Sequence, residues 1–280
     1  VIAGGVESMS RVPMFSPNSL AEKAGLGGYG GEQMAARYPG VVFSQFAGAE
    51  QMARKYGLSR DQLDAYALQS HQRAAQARSG WAGQIVPVAA RSAEAGDLGE
   101  LHTQDEGVRA NATLEGIASV KLLQDGGVIS AANASQICDG ASGVMVVNER
   151  GLQALGVQPL ARIHHMSVLG HDPVIMLEAP IPATQRALQK TGMRLHDIDL
   201  YEVNEAFASV ALAWQKALDA DPARLNAQGG AIALGHPLGA SGTRLATTLV
   251  HALHQTGGRY GLQTMCEGGG MANVTVFERC

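Results

Sequence analysis

From Ala141 to the C-terminus, short apolar runs alternate with amphipathic stretches at helical spacing, and glycine or proline marks most of the junctions. Gly143-Val144-Met145-Val146-Val147 reads as a buried strand, Glu149 to Leu155 as a short helix, and residues 160–167 as a further strand. A helix follows over 181–191, introduced by Pro180 and Pro182 and ended by Gly192. Residues 198–203 read as a strand and 205–218 as an amphipathic helix. A helix over 240–255 and strands around 259–266 and 272–278 close the pattern. Strands in regular alternation with helices bury both faces of a sheet, so the chain is expected to form a layered α/β structure.

The first half is less regular. Residues 7 to about 50 are punctuated by glycine and proline, and little regular structure is expected there. Ser59 caps a helix that carries Leu63, Tyr66, Ala67, Ser70 and Ala74 at helical spacing and stops near Gly80. Residues 85–88 read as a short strand, and the polar sequence to about 113 as a surface excursion. Of the 280 residues, 46% are hydrophobic and 16% charged, which fits a well-buried protein rather than a disordered one. A net charge of −4 argues against a nucleic-acid partner. No apolar run reaches membrane-spanning length, so no membrane association is expected. The three cysteines (Cys138, Cys266 and Cys280) are too scattered for a disulfide framework and point to a reducing, cytoplasmic setting. The opening Val1-Ile2-Ala3-Gly4-Gly5 reads as the end of a buried strand, and the expectation is an N-terminally truncated fragment.

Reactive side chains are concentrated in three blocks: Val203-Asn204-Glu205-Ala206-Phe207, the glycine-rich Gly229 to Gly242 containing His236, and Cys266-Glu267-Gly268-Gly269-Gly270. Each has a bland alternative: a helix cap for Asn204, a surface or core histidine, an inert buried thiol. All three lie at the C-terminal ends of expected strands, where α/β sheets bind ligands. A thiol and an imidazole set in glycine are parts of an acid–base or nucleophilic site. A thiolate at a glycine turn beside an imidazole is expected to have a depressed pKa.

These blocks resemble the three C-terminal signatures of the thiolases, acetyl-CoA C-acyltransferases that make or cleave the carbon–carbon bond of 3-ketoacyl-CoA. The likeness runs through the chain: residues 1–10 resemble the segment opening the family's loop domain, and Asp105-Glu106-x-x-Arg109 and Ser130 to Ser135 its CoA-binding region. The resemblance implies a layered αβαβα fold with an inserted loop domain. Residues 1–6 and 137–159 are then a remnant of the N-terminal half, 7–136 the CoA-binding loop domain and 160–280 the C-terminal half, with most of the first half-domain absent. It implies Cys266 as the proton-transferring cysteine, His236 as activator of a nucleophilic cysteine and part of an oxyanion hole in which Asn204 positions a water, and the Gly268 backbone N–H as part of another such hole. Ser135, Ala131, Arg109, Met176, Ala206 and Phe207 are the expected contacts to CoA, which enters as co-substrate; no cofactor is implied. His251 and His254 are spaced i, i+3, but the chemistry needs no metal and a helix surface is expected. Cys138 and Cys280 match no catalytic position. The family's nucleophilic cysteine falls upstream of Val1, so the polypeptide alone is expected to be inactive, and the full protein to be a homodimer or homotetramer. Ser44-Gln45 stands where the biosynthetic branch has His-Met, which favours the degradative branch. The alternatives are a non-catalytic CoA-binding module and a decarboxylating condensing enzyme of the same fold, the latter disfavoured by Cys266.

Overall fold

A computed structural model of the protein describes residues 1–28, 30–92, 94 and 96–280. In chain order the elements are β1 (Ile2–Ser8), α1 (Ser16–Lys23), α2 (Glu32–Arg37), α3 (Gln45–Lys55), α4 (Arg60–Ala77), β2 (Val88–Ser92), β3 (Gly96–His102), α5 (Leu114–Ala118) and β4 (Asp139–Met145). There follow α6 (Glu149–Leu155), β5 (Ala161–Gly170), α7 (Pro180–Thr191), β6 (Leu200–Val203), α8 (Ala208–Leu218), α9 (Ala231–Leu234), α10 (Leu238–Thr256), β7 (Tyr260–Glu267) and β8 (Met271–Arg279).

The C-terminal alternation builds a four-stranded sheet in the order β5-β8-β7-β6. The β6–β7 pair is parallel, and β7–β8 and β5–β8 are antiparallel. Side chains alternate across a strand, and in β6 the alternation divides two apolar clusters. Tyr201 and Val203 join the main core with Trp214 of α8 and Ile181 of α7. Leu200 faces the other way, onto Leu249 and Leu253 of α10. Beyond α10 lies a second, two-stranded sheet in which β1 and β4 pair antiparallel. There Ser142 donates to the Ala240 carbonyl at 2.5 Å. The layers therefore run helices, sheet, helix, sheet, and α10 has a sheet on each side. β6 and β7 run parallel and lead at their C-terminal ends into the first and third reactive blocks, whereas the second, expected at a strand end, holds α9 and the turn before α10.

Helix α4 begins as its sequence predicts, with a reciprocal Ser59–Gln62 capping box. Four expectations fail. The strands expected to be buried at 143–147 and at the N-terminus are β4 and β1, whose Met145, Ile2 and Val6 are exposed. The supposedly irregular residues 7–50 hold α1, α2 and the start of α3; α1 and α2 bury no residue, so their periodicity is weak. The strand expected at 85–88 lies at Val88–Ser92, beyond Pro87, which lacks an N–H to pair. It pairs with β3, inside the stretch read as surface excursion. Finally, α8 starts at Ala208 rather than residue 205, because Glu205 is drawn into the core.

Candidate active site

The backbone of Asn204 is fixed from two sides. Its N–H donates to the Thr264 carbonyl of β7 at 3.0 Å. The preceding Val203 N–H donates to Asn226 Oδ1 at 2.9 Å. Asn204 therefore continues the sheet instead of capping α8, whose N-cap is Phe207. Its side-chain amide reaches His236, with Nδ2 to Nε2 at 3.2 Å.

His236 occupies the turn between α9 and α10, with its N–H donating to the Gln136 carbonyl at 3.1 Å. Its Nδ1 lies 2.6 Å from Ser241 Oγ. The Ser241 hydroxyl donates its one proton to the Pro237 carbonyl at 2.9 Å, so toward the imidazole it acts as acceptor. Nδ1 then carries the ring proton and Nε2 a lone pair that accepts from Asn204. Burial pushes the imidazole down to about 4, so at neutral pH it is an uncharged base.

Cys266 is the penultimate residue of β7, opposite Ala272 of β8, and is buried. Here the sequence expectation reverses. Burial, reinforced by Glu267, pushes its thiol up to about 12 rather than down. The adjoining glycine turn is held from outside: the His171 N–H donates to the Gly270 carbonyl at 2.7 Å. Gly270 has φ +79°, and a Cβ there would stand 2.6 Å from the Asp172 carbonyl oxygen, so glycine is required. Gly268 sits in the same turn with open space where a Cβ would lie. Behind it, Glu178 accepts from Tyr56 at 2.5 Å and His171 at 3.1 Å and pairs with Lys55 at 2.6 Å. Against the cost of burial, those partners hold its carboxyl below the ordinary range.

The fourth group gave no signal as a site residue in the sequence. Glu205 is buried and collects donors from Tyr66 (2.9 Å), Ser70 (2.7 Å), Asn226 (3.1 Å) and the Ile232 N–H (3.0 Å). Ser70 Oγ in turn accepts from the Gly230 N–H at 3.1 Å. This carboxyl ties α4 and the start of α9 to the end of β6, and so sets His236 against Asn204. Burial raises its pKa despite the donors. Ser241, which fixes the imidazole, was also missed, although its i, i+4 spacing from Pro237 is that of a hydroxyl bonded to a helix carbonyl.

Of the expected CoA contacts, three meet. The Ser135 N–H donates to the Ala206 carbonyl at 3.0 Å, and Ala134 bridges to Phe207. Phe207 is buried edge-on to Phe46, with ring centroids 5.8 Å apart. Ala131 is exposed just before this segment. Arg109 is exposed too, and its backbone N–H donates to His71 Nδ1 at 3.2 Å. Met176 is buried within the main core with a left-handed backbone, φ 55°. Asp105, grouped with Arg109 in the sequence, pairs with Arg244 of α10 at 2.8 Å. Cys138 is half-buried and Cys280 exposed. His254 bonds the Leu160 carbonyl at 2.8 Å. Among the described residues no cluster of three His, Cys, Asp or Glu side chains is arranged to hold a metal, and no helix is long and apolar enough to cross a membrane.

Two family models match the chain: "Thiolase, N-terminal domain" over residues 1–150 and "Thiolase, C-terminal domain" over 157–279. A steroid 3-ketoacyl-CoA thiolase of Mycobacterium tuberculosis is 49% identical over 283 residues, covering 100% of this chain and 68% of its own length. A 3-ketoacyl-CoA thiolase of Bacillus subtilis is 41% identical, with 100% and 71% covered. The crystal structure of human mitochondrial 3-ketoacyl-CoA thiolase superposes with a TM-score of 0.84 at 36% identity, covering 100% of this chain and 72% of that one.

Proposed function

The chain belongs to the thiolase family, and we propose that Asn204, His236, Cys266 and Gly268 carry its acyl-transfer chemistry. The activity is thiolytic cleavage of a 3-ketoacyl-CoA to acetyl-CoA and a shortened acyl-CoA, or the reverse condensation. One observation carries the assignment of roles: Asn204 and His236, each at the mouth of the sheet, touch through Nδ2 and Nε2 at 3.2 Å. The Ser241 contact leaves that Nε2 lone pair as the proton acceptor.

In cleavage a thiolate sulfur bonds to C3, the bond between C2 and C3 breaks with its electron pair passing to C2 as the acetyl-CoA enolate, and the acyl group is left as a thioester on the attacking sulfur, from which the thiol of a second CoA takes it as the shortened acyl-CoA. Cys266 delivers its S–H proton to that carbon, and a thiol with a pKa near 12 holds the proton until an enolate, a far stronger base than water, demands it. In condensation the same sulfur removes the α-proton, a step assisted by donors aimed at the enolate oxygen. Asn204, through a water that it positions beside His236, is assigned that work, and the Gly268 N–H is assigned to the second oxyanion, at the acyl carbon, each donor worth about 3 kcal/mol. His236 Nε2 takes the proton of the thiol that attacks the acyl carbon. The segment joining Ser135 to Ala206 and Phe207 is assigned to the CoA side, with Ala131, Met176 and Arg109 along its approach. The likeness to a steroid thiolase makes ring-bearing acyl-CoA esters the first substrates to assay.

The test is deuterium exchange at the α-carbon of acetyl-CoA, followed by NMR. Its rate is expected to rise with pH in the neutral range, because the thiolate fraction grows about tenfold per unit below the thiol pKa. Cys266→Ala is expected to abolish exchange while leaving the melting temperature near that of the wild type. Undiminished exchange in Cys266→Ala removes that cysteine from the chemistry.

A further inference from the structure

Glu202 takes no part in the steps above, yet it is a buried carboxyl two residues from Asn204, 3% exposed. It lies opposite Gln263 in the β6–β7 register, on the face of the sheet that meets α10. Among the described residues its side chain makes no hydrogen bond and no ion pair. Gln263 donates to the Gly242 carbonyl at 3.2 Å, and Arg244 is committed to Asp105 at 2.8 Å. The carboxyl borders a small cavity under the glycine-rich loop, whose walls include Asn204, Gly235, Ser241 and Arg244. Its volume, about 10 Å³, is on the order of one water site. The cavity thus has Glu202 on one side, and on the others the serine that fixes the His236 tautomer and the asparagine that His236 faces.

We propose that Glu202 is a positioning residue for His236: its buried side chain closes the seam between β6 and α10, at the cavity walled by Ser241 and Asn204, and so keeps those two residues in place. A carboxylate in that seam would need solvation or a cation, and drawing Arg244 from Asp105 would move the helix that carries Ser241. The charged groups acting on it are Glu205 at the end of its own strand, Arg244 on α10 and Arg73 on α4; Gln263 on β7 is neutral. Burial and then Glu205 hold its proton on, and the two arginines oppose them less strongly, so its pKa lies well above the ordinary range. This inference rests on His236 being the base.

The test compares Glu202→Gln, a neutral isostere, with Glu202→Ala. E202Q is expected to keep kcat within about twofold, whereas E202A is expected to lose about 10- to 100-fold in kcat with KM little changed, as a misplaced catalytic group does. The wild type should show a protonated-carboxyl C=O stretch at neutral pH that is missing from the infrared spectrum of E202Q. The native state holds a proton that the unfolded chain releases above about pH 4, so wild-type stability falls as pH rises through that region. The melting temperature of E202Q relative to wild type should therefore climb between pH 4 and 8. An E202Q that fails to fold, an E202Q as impaired as E202A, or a carboxylate band in its place overturns the proposal. The infrared band reports on Glu202 whatever His236 does, and a His236→Ala enzyme with undiminished thiolysis would instead overturn the base assignment.

Discussion

At the scale of single residues, the proposed site depends on the direction of one proton. Ser241 has a single hydroxyl proton and gives it to Pro237, and this choice decides which nitrogen of His236 is basic. Ser241→Ala removes the acceptor and frees the ring to take either tautomer. It is expected to lower kcat about 10- to 100-fold while costing only about 1 kcal/mol of stability. Steady-state kinetics beside urea unfolding checks this, and an unchanged kcat would show that the tautomer is set elsewhere. Asn204 and Cys266 stand out in the sequence as reactive side chains at strand ends, and His236 and Cys266 by their glycine settings. Glu202 and Glu205 do not. An acidic residue in or after a strand reads as a solvated position or a helix first turn, and only donors far along the chain, such as Tyr66 and Ser70 (139 and 135 residues away), reveal that Glu205 points inward. The thiol of Cys266 was misjudged for the same reason, since its glycine setting was visible and its burial was not.

Among the elements, strand ends and turns carry the precision. The Gly268–Gly270 turn keeps its shape because Gly270 lies on the Asp172 carbonyl, and the 171–178 segment behind it is braced by the Glu178 carboxyl. Gly270→Ala is expected to destabilise the protein by about 1–3 kcal/mol, the cost of a strained left-handed residue, and to slow Cys266-dependent exchange more than it weakens substrate binding. Denaturant melts and α-proton exchange on the same variant check both effects; a fully active and stable G270A would mean that the turn can relax. The strands β6 and β7 and the helices α7 and α10 followed from periodicity and stop signals; the pairing of β6 with β7 did not. The late start of α8 did not, because a helical pattern from residue 205 onward says nothing about a buried carboxyl at its first position.

For the whole molecule, α10 is the shared element, with the four-stranded sheet on one side and the β1–β4 pair on the other. That second contact is close: a Cβ on Gly5 would stand 1.8 Å from the Gly239 carbonyl oxygen. Gly5→Val is therefore expected to separate the β1–β4 pair from α10 and to cost more than about 2 kcal/mol, read from equilibrium denaturation. A melting curve that matches the wild type would mean the two layers are not coupled through this contact. The layered architecture was legible from the alternation of strands and helices. The pairing of β1 with β4 was not, because nothing local in either strand names a partner so far along the chain. That distance has a temporal consequence. Val1 bonds to Val146, 145 residues further on, so during synthesis at about 5–20 residues per second β1 waits roughly 7–30 s for its partner strand. The α10 helix on which both strands rest begins only at Leu238, later still. Through that interval the β1 backbone lacks the β4 ladder that it pairs with in the folded chain.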